Sequence, residues 1–239
     1  MVPFEKLVAG AQEHRCRLGR PLVTLSYAQS LDGCIAARAG ERLALSGSES
    51  MRLTHQLRAA HNAILVGIGT VLADNPRLTV RLVQGQDPQP IVLDSHLRMP
   101  LEASLLQNSR RPWIACLDDA DPIKSAKLES LGALVLRIPA DNAGRVSIPA
   151  LLERLASFEM NSLMVEGGAR VISTFLHLNV VNWIILTIAP VFLGGLRAVG
   201  QEAFTASPRS ASPYPRLQEV GIERLGNDLI VWGNLSASG

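Results

Sequence analysis

The stretch Met164-Val-Glu-Gly-Gly-Ala-Arg170 runs directly into a helical pattern of apolar residues. An apolar strand, a glycine turn and a helix start, in this order, place backbone amides at the positive end of a helix dipole. Because glycines have no side chains, a phosphate or pyrophosphate can approach the backbone there. Glu166 is predicted to lie at the carboxyl edge of the strand, where open α/β sheets bind ligands. A plain strand-to-helix turn that needs glycine for its dihedral angles explains the same residues.

Alternating elements surround this turn along most of the chain. Short aliphatic or β-branched runs, predicted to be strands, cover residues 22–27, 63–67, 90–94, 113–117, 133–138, 162–166 and 183–189. Amphipathic segments, predicted to be helices, cover residues 49–61, 122–131, 149–158 and 168–178. Ser46 and Glu49 have the spacing of a capping box, and Ser147 marks another helix start. This alternation is typical of a layered α/β domain.

The pattern changes after residue 195. Residues 201–215 are rich in Ala, Ser and Pro and are predicted to form a surface loop. Two further strands, 217–224 and 228–234, flank Gly226-Asn227, which predicts a tight antiparallel hairpin. We therefore predict a mixed, mostly parallel central sheet with a C-terminal hairpin, in one domain over residues 1–239. Residues 1–20 are an N-terminal extension in this scheme.

Residues 171–196 contain no Asp, Glu, Lys or Arg, so a hydropathy scan would flag them as a membrane span. However, His177, Pro190 and the pair Gly194-Gly195 interrupt the stretch, and its spacing changes midway from helical to β-rich. A buried helix followed by a central strand explains the pattern better. No membrane partner is therefore expected.

Composition and charge exclude further classes of partner. The 239 residues carry 23 Lys and Arg against 21 Asp and Glu, and the resulting formal charge of +2 is too small for a protein that coats nucleic acid. Five Phe, three Trp and two Tyr are too few for a surface on which single-stranded nucleic acid stacks. The three cysteines are odd in number and widely spaced, which predicts no disulfide framework and a cytoplasmic location.

Two glycines and a charged segment follow the second predicted strand. Gly67-Ile-Gly69 begins like a dinucleotide fingerprint but lacks its third glycine, so a glycine-lined ligand loop fits better than a Rossmann turn. The pair Asn75-Pro76 predicts a loop that holds Asp74 and Arg81 at a sheet edge. Solvated charges on a connection also explain these two residues.

Other polar groupings stay open. Arg52 and Arg58, and likewise His55 and His61, lie six residues apart on the first long helix, and this spacing of about 1.7 turns does not bring either pair to one face. A solvated helical face is the simpler interpretation of the arginines. The segment Asp94-Ser-His-Leu-Arg98 ends a strand and forms either an anion site or a polar turn. The sequence lacks zinc, P-loop and hydrolase motifs, so no metal site is predicted.

Four blocks occur in order along the chain. They are Leu25-Ser-Tyr-Ala-Gln-Ser-Leu-Asp-Gly33, the run from Leu57 through Val66-Gly-Ile-Gly-Thr70 to Arg81, Ile91-Val-Leu-Asp-Ser95, and Val165-Glu-Gly-Gly168. Together they resemble the riboflavin-biosynthesis reductase, a domain that many bacteria fuse behind a pyrimidine deaminase. Four ordered blocks over nearly the whole chain are more specific than any single motif. The zinc motif of the deaminase is absent from this sequence.

The resemblance implies a dihydrofolate-reductase-like three-layer sandwich, a homodimer and NADPH as cofactor. It also implies reduction of the ribosyl group of 5-amino-6-(5-phosphoribosylamino)uracil, or of its diaminopyrimidinone counterpart, to the ribityl form. By motif match, the expected cofactor contacts are Ala28, Thr70, Asp74, Ser95, Gly167, Gly168, Ala169 and Arg170. The expected substrate contacts are Arg58, Leu78, Arg81 and Glu166. The two arginines suit a 5′-phosphate, and the glutamate suits hydroxyl or amine donors.

The expected reaction opens the cyclic ribosylamine to an imine, which receives a hydride from NADPH. Asp74 and Glu166 are the candidate catalytic residues, with Asp74 or a bound water as a candidate for moving the proton during ring opening. Cys34 departs from the usual polar residue after Asp-Gly, and Ala44 stands where many members carry Trp. A reductase of another small substrate and a non-catalytic nucleotide-binding protein therefore stay open as alternatives.

Overall fold

The computed structural model describes residues 2, 4–41, 43–200 and 215–235. The strands in this part of the chain are β1 (Leu22–Ser30), β2 (Cys34–Ala36), β3 (Ala63–Gly67), β4 (Gln89–Leu93), β5 (Trp113–Cys116), β6 (Leu134–Arg137), β7 (Ser162–Gly167), β8 (Trp183–Ala189), β9 (Leu196–Arg197), β10 (Leu217–Leu225) and β11 (Asp228–Leu235). The helices are α1 (Phe4–Val8), α2 (Ala11–Leu18), α3 (Ser48–Ala60), α4 (Ile68–Asp74), α5 (Pro122–Ser130), α6 (Ile148–Ser157) and α7 (Ala169–His177). Each predicted strand and helix is present, whereas α1, α2, α4, β2 and β9 are additional.

Nine of these strands form one sheet in the order β10-β11-β8-β1-β7-β3-β4-β5-β6. From β8 to β6 each neighbouring pair is parallel, whereas β11 runs antiparallel to both β8 and β10. Leu225 pairs with Asp228 across the tight turn of the final hairpin. The predicted mixed, mostly parallel sheet with a C-terminal antiparallel hairpin is confirmed. Strands β2 and β9 form a separate small sheet.

Helices cover both faces of the large sheet, because successive residues of its buried strands present apolar side chains to opposite sides. The face that includes Leu65 and Val165 packs against α6 and α7. On the opposite face, Ile64 packs in one cluster with α4 and α5, and Met164 packs in another with α3. This is the predicted three-layer α/β architecture.

The start of α3 differs from its prediction. Its cap residue is Gly47, which has no side chain to accept a hydrogen bond. Instead Asp228, the first residue of β11, accepts the Gly47 N–H at 2.8 Å. The predicted capping box from Ser46 to Glu49 is therefore wrong, because the cap is Gly47 and the carboxylate of a residue distant in sequence accepts the cap N–H that a capping-box glutamate would accept. By contrast, Ser147 caps α6 as predicted, through the N–H of Ala150.

Residues 68–74 form a helix where a loop was predicted. Helix α4 begins directly after Gly67 and ends at Asp74, and Asn75 adopts a left-handed φ of 43° after it. Asp74 therefore lies on the last turn of a helix, and only Arg81 lies on the following loop. The prediction was wrong because Asn followed by Pro can terminate a helix as well as form a turn.

Two other segments bear on the predictions. Residues 171–196 contain most of α7 and all of β8, as expected for a buried helix followed by a central strand. Among the described residues, no helix is both long enough and apolar enough to cross a membrane. The predicted surface loop 201–215 lies outside the described residues except for Pro215.

Candidate active site

A cleft of about 620 Å³ opens at the carboxyl ends of the central parallel strands. Strands β1, β3, β4 and β7 contribute Ala28, Gly67, Leu93 and Glu166 to its wall. Ligands of open α/β sheets bind at this edge, and small-molecule sites have volumes of about 300–1,000 Å³. The cleft is therefore the candidate active site.

Most residues expected to contact a cofactor line this cleft. Gly167 lies just behind the wall, while Gly69 joins the lining residues. At Gly69 the described residues leave open the space that a Cβ would occupy, so a ligand can approach the backbone there. Gly69 belongs to the first turn of helix α4, so the predicted glycine-lined loop is wrong, although the glycine lines the cleft. The expected cofactor contacts that line the cleft are Ala28, Thr70, Asp74, Ser95, Gly168, Ala169 and Arg170.

The turn between β7 and α7 needs glycine at two successive positions. Gly167 and Gly168 have φ values of 108° and 86°, in the region that side chains disfavour. A Cβ on Gly168 would also lie 3.2 Å from Oγ1 of Thr70. The hydrogen-bond ladder of α7 starts with the Ile172 N–H donating to Gly168 O at 3.0 Å, so the amides of residues 169–171 precede it. The turn thus meets a dihedral requirement and has anion-binding geometry at the same residues.

An irregularity in β7 orients Glu166. The register between β3 and β7 shifts so that Leu65 pairs with Val165 and Val66 with Gly167, which leaves Glu166 as the extra residue of a bulge. Its carboxylate accepts hydrogen bonds from Nε of Arg58 at 2.6 Å and from Nη2 at 2.8 Å. The two side chains are only 10% and 14% exposed. This bidentate contact is shielded from water and fixes the plane of the carboxylate.

Arg58 is a buried residue of α3 rather than a solvated one. A third hydrogen bond runs from its Nη1 to the carbonyl of Thr79 at 3.0 Å. Burial acts to lower the pKa of the guanidinium, but the carboxylates of Glu166 and Asp87 outweigh it and raise that pKa. The interpretation as a solvated helical face is therefore wrong for Arg58, because a carboxylate on the neighbouring strand compensates its buried charge.

Arg81 lies beside this pair, on the loop after α4. Its main-chain N–H donates to Nδ1 of His55 at 2.9 Å, and its Nη1 donates to Oγ1 of Thr79 at 2.7 Å. Burial, followed by the positive charges of Arg58 and Arg77, lowers the pKa of the Arg81 guanidinium. Crowded positive charge of this kind favours an anionic ligand. The guanidiniums of Arg58 and Arg81 flank the cleft rather than line it.

Leu78 differs from the other expected substrate contacts. Its side chain is buried in the core cluster of α4 and α5, and its φ is 57°. A ligand can therefore meet this residue only through its main chain.

A cationic rim forms another part of the cleft wall. Nε of Arg98 lies 3.5 Å from Oδ1 of the buried Asp94, and Nη2 of Arg145 lies 3.3 Å from Oδ2 of Asp141. Both guanidiniums stay about half exposed. Because its polar residues border the cleft, the segment from Asp94 to Arg98 fits an anion site better than an isolated polar turn. The polar residues of the rim are Ser95, His96, Arg98, Asp141, Arg145 and Arg170.

Comparison with known families shows which family the chain belongs to. Residues 21–231 match the family described as the RibD C-terminal domain. The chain belongs to this family. Among curated relatives of this RibD C-terminal domain chain, a protein of Methanothermobacter thermautotrophicus is 37% identical over 89% of the chain and 97% of its own length. It is named 2,5-diamino-6-ribosylamino-4(3H)-pyrimidinone 5′-phosphate reductase.

Longer proteins and solved structures also match this RibD C-terminal domain chain. The riboflavin biosynthesis protein RibD of Aquifex aeolicus is 34% identical, and the chain spans only 57% of its length. Acinetobacter baumannii RibD superposes with a TM-score of 0.78 at 25% identity, over 93% of this chain and 60% of that one. The riboflavin biosynthesis reductase Rib7 of Saccharomyces cerevisiae gives a TM-score of 0.68 at 28% identity, over 91% of both chains.

The sequence did not identify several side chains at or near the cleft of this RibD C-terminal domain. His55 and Arg58 lie three residues apart, a spacing that puts both on one helical face, whereas only pairs six apart were compared. Tyr27 lines the cleft, and burial raises the pKa of its phenol to about 12, so it keeps its proton at neutral pH. Arg145 borders the cleft without any local sequence signal, because tertiary folding alone brings it there.

The segment after β1 supplies part of the cleft lining in this RibD C-terminal domain, and hydrogen bonds to Asp32 connect its start to the chain after β8. The Asp32 carboxylate accepts hydrogen bonds from Ser30 Oγ and from the N–H groups of Leu193 and Gly194, which keep its pKa well below the usual range. Cys34 accepts the N–H of Gly195 at 3.2 Å. The family departure at Cys34 thus sits at a buried structural contact.

Proposed function

We propose that this chain reduces the ribosyl group of a 5′-phosphorylated ribosylaminopyrimidine to the ribityl form in riboflavin biosynthesis, with NADPH as hydride donor. One observation carries the proposal: a single cleft joins glycine-lined backbone on one part of its wall to the carboxylate of Glu166, with Arg81 beside it. The named reductase relative supports it, because that protein matches over nearly its whole length. Both the uracil and the diaminopyrimidinone are candidate substrates.

The residues on the glycine-lined wall fit a nicotinamide dinucleotide. Gly69 and Gly168 would let its pyrophosphate approach the backbone, and the amides that precede the ladder of α7 would donate to it. Thr70 and Ser95 add hydroxyl groups that can donate hydrogen bonds. The cofactor supplies the hydride when bound.

The cationic rim is our candidate binding site for the 2′-phosphate of NADPH. Arg98 and Arg145 are half exposed and border the cleft next to Ser95. A 2′-phosphate carries about two negative charges and can accept several charge-assisted hydrogen bonds from guanidinium groups. NADH lacks that phosphate, so the rim favours NADPH.

Glu166 is the residue best placed to orient the pyrimidine substrate. With one lone pair on each oxygen accepting from Arg58, the carboxylate keeps further lone pairs for hydroxyl or amine donors of the substrate. Its position at the carboxyl edge of β7 brings such donors to the cleft. Its contribution is orientation, since a fixed acceptor reduces the entropy cost of reaching the reactive geometry.

Asp74 is our candidate for moving the proton during ring opening. It lines the cleft at the last residue of α4, and Gly69 at the start of the same helix lines the cleft as well. A positioned carboxylate typically contributes about 10²–10⁴-fold as a general acid or base. Asp74→Asn keeps the shape of the side chain and removes this capacity, so kcat should fall while NADPH affinity stays within a few-fold.

The assembly we propose is a homodimer. Val220, Ile222 and Leu229 expose apolar side chains on the terminal hairpin, whose outer strand β10 ends the sheet. Exposed apolar residues along a sheet edge are common at subunit contacts. Light scattering of the purified chain should give twice the mass of the monomer, and a monomer at micromolar concentration would contradict this assignment.

A reducing cytoplasm is the compartment we propose. Cys16, Cys34 and Cys116 are all unpaired, and the last two are buried. Burial raises the pKa of the Cys116 thiol to about 11, which keeps it protonated and unreactive.

The direct test follows NADPH oxidation by absorbance. Purified chain is mixed with 5-amino-6-(5-phosphoribosylamino)uracil, generated in place by a separate deaminase, and in parallel with the diaminopyrimidinone. Turnover that requires both NADPH and a pyrimidine supports the proposal and identifies the preferred ring. Tight NADPH binding without turnover of either pyrimidine would refute the assigned reaction.

A further inference from the structure

The phenol of Tyr27 is a hydrogen-bond donor in the cleft that the proposed function leaves unused. We propose that this phenol donates to a pyrophosphate oxygen of the bound nicotinamide cofactor and so contributes to cofactor affinity. The inference rests on the proposed cofactor. It adds a side chain of β1 to the glycine turn and the helix start that already face the pyrophosphate.

Tyr27 lies where β1 extends past one of its neighbours. Strand β1 pairs with β7 only from Leu22 to Leu25, whereas it pairs with β8 as far as Ser30. Tyr27 is therefore two residues beyond the last pairing with β7, and both Tyr27 and Ala28 line the cleft. Because β7 does not cover this edge of β1, a ligand can reach the strand there.

The side chain of Tyr27 projects towards the layer that holds α7. Successive side chains of a strand alternate between the two faces of the sheet, and the Tyr27 ring packs against the same core cluster as Leu25. Val171 and Ile172, near the start of α7, belong to that cluster and also line the cleft. The phenol and the amides that precede the hydrogen-bond ladder of α7 thus lie on the same side of the sheet.

The phenol oxygen of Tyr27 is available to a ligand. It has no hydrogen bond to any residue that the structure describes. In that part of the chain the fully enclosed side-chain atoms without a hydrogen bond are His14 Nε2, Ser50 Oγ and Asp94 Oδ1. The Tyr27 oxygen is not one of these, so it is accessible from the cleft that the residue lines. Burial raises the pKa of the phenol to about 12, so the group is a donor at neutral pH.

A pyrophosphate is the acceptor that fits these surroundings. A largely buried donor without a partner gains most from an acceptor that a ligand brings, and charged oxygens form the stronger hydrogen bonds. The apolar side chains of Ile35 and Leu93 pack on the same face and line the cleft beside the phenol. Backbone amides and a phenol can therefore bind a phosphate there without the cost of burying another charged side chain.

Two hydroxyls of the same strand give a matched comparison. Tyr27→Phe removes the phenol oxygen and keeps the ring, whereas Thr24→Val removes a buried hydroxyl that already contacts Nε2 of His61 at 2.8 Å. In calorimetric titration, Tyr27→Phe should bind NADPH about tenfold more weakly, and Thr24→Val should bind it normally. Thermal unfolding of the free protein should show the reverse order, with a lower unfolding temperature for Thr24→Val and none for Tyr27→Phe. Unchanged NADPH affinity in Tyr27→Phe, or a loss of stability like that of Thr24→Val, would overturn the proposal.

Fragments of the cofactor locate the contact. The fragment 2′-phospho-ADP-ribose contains the pyrophosphate but no nicotinamide, whereas adenosine 2′-phosphate contains neither. Tyr27→Phe should weaken binding of the first fragment about tenfold and leave that of the second within about twofold. Equal losses for both fragments would place the contact at the adenosine, and a loss confined to NADPH would place it at the nicotinamide. Either result refutes the pyrophosphate contact.

Fluorine NMR gives a readout that does not depend on turnover. The chain contains two tyrosines, so incorporation of 3-fluorotyrosine gives two resonances, and the one that Tyr27→Phe lacks belongs to Tyr27. Addition of 2′-phospho-ADP-ribose should shift this resonance, and adenosine 2′-phosphate should leave it in place. If these results hold but neither pyrimidine is turned over, the assigned reaction fails while the contact of Tyr27 stands. If the intact chain does not bind NADPH, the cofactor and this contact are both refuted.

Discussion

The glycine-lined wall and the polar cluster beside the same cleft offer a ligand opposite kinds of contact. On the wall, Gly69 and Gly168 expose backbone, and the amides of a helix start lie beside them. In the cluster, Arg58, Glu166 and Arg81 present charged side chains whose positions depend on one another. At the wall, an added side chain would fill the space that the glycines leave open. In the cluster, removal of one charged side chain would leave its buried partner without a compensating charge.

The removal of one carboxylate should produce the largest effect and isolate the contribution of the cluster. Glu166→Ala should lower kcat/KM about 100-fold, or roughly 2.7 kcal/mol of transition-state stabilisation, because the substrate loses its fixed acceptor and Arg58 loses its partner. NADPH affinity should change little, since the wall is intact. Steady-state kinetics and NADPH titration measure the two effects, and Glu153→Ala on the exposed face of α6 is the control. A large loss of NADPH affinity would show that wall and cluster do not act separately.

Acid should lower the stability of the protein through a buried histidine at the end of α3. His61 is buried at the end of α3, where its Nδ1 lies 2.7 Å from Leu57 O and its Nε2 lies 2.8 Å from Thr24 Oγ1. Burial lowers its pKa to about 4, although the hydrogen bond to Leu57 opposes this shift. Because the unfolded chain then binds the proton more readily, stability is full above about pH 6.5 and falls as the pH drops towards 4.

The expected loss from His61 between pH 7.5 and pH 5 is about 2 kcal/mol of unfolding free energy. Urea unfolding at both pH values measures it, and His61→Gln should show a smaller difference. His55 titrates in the same direction, so the variant keeps part of the pH dependence. An unchanged difference in His61→Gln would rule out the ring as a cause.

Two glycine substitutions sharpen the distinction between folding and binding within the wall. Gly168→Ala should destabilise the fold by about 1–2 kcal/mol, because φ is 86° there and Thr70 Oγ1 is 3.2 Å from the added Cβ. Gly69→Ala meets no atom within 4 Å among the described residues, so the fold should stay stable. It should nevertheless weaken NADPH binding several-fold, since the methyl group occupies the space of the ligand. Normal NADPH affinity in Gly69→Ala would place the cofactor elsewhere.

The smallest effect is expected at the cationic rim. Arg98→Ala and Arg145→Ala should each reduce the preference for NADPH over NADH by about fivefold, near 1 kcal/mol, because exposed guanidiniums contribute modestly. The ratio of kcat/KM for the two cofactors measures it. Arg154→Ala, whose guanidinium packs over the Phe158 ring away from the cleft lining, is the control. An equal fall in kcat/KM for both cofactors would show that the rim does not recognise the 2′-phosphate.

Sequence alone predicted the sheet, its hairpin and the glycine turn between β7 and α7, because these features depend on local patterns. The β-branched runs, the turn at Gly226-Asn227 and the Glu-Gly-Gly segment each carry their signal within a few residues. Helix α4 was missed because a seven-residue helix between a glycine and Asn75 has too little periodicity to differ from a loop.

The polar cluster could not be derived in the same way. The contact between Arg58 and Glu166 joins residues 108 positions apart. It depends on a bulge in β7 that no residue in the sequence predicts. A resemblance to a family could name both residues as substrate contacts, but it could not show that one already holds the other. The solvated-face interpretation of Arg58 failed for the same reason, since a buried charge is recognisable only once its partner is known.

The hydrogen bond at the start of α3 can form only late in the synthesis of the chain. Asp228 contacts Gly47 across 181 positions of sequence, so the helix that carries His55 and Arg58 obtains this hydrogen bond only after those residues have been synthesised. At a synthesis rate of about 5–20 residues per second, α3 waits on the order of ten seconds or more for that contact. During translation the start of the active-site helix therefore lacks this hydrogen bond until β11 emerges from the ribosome.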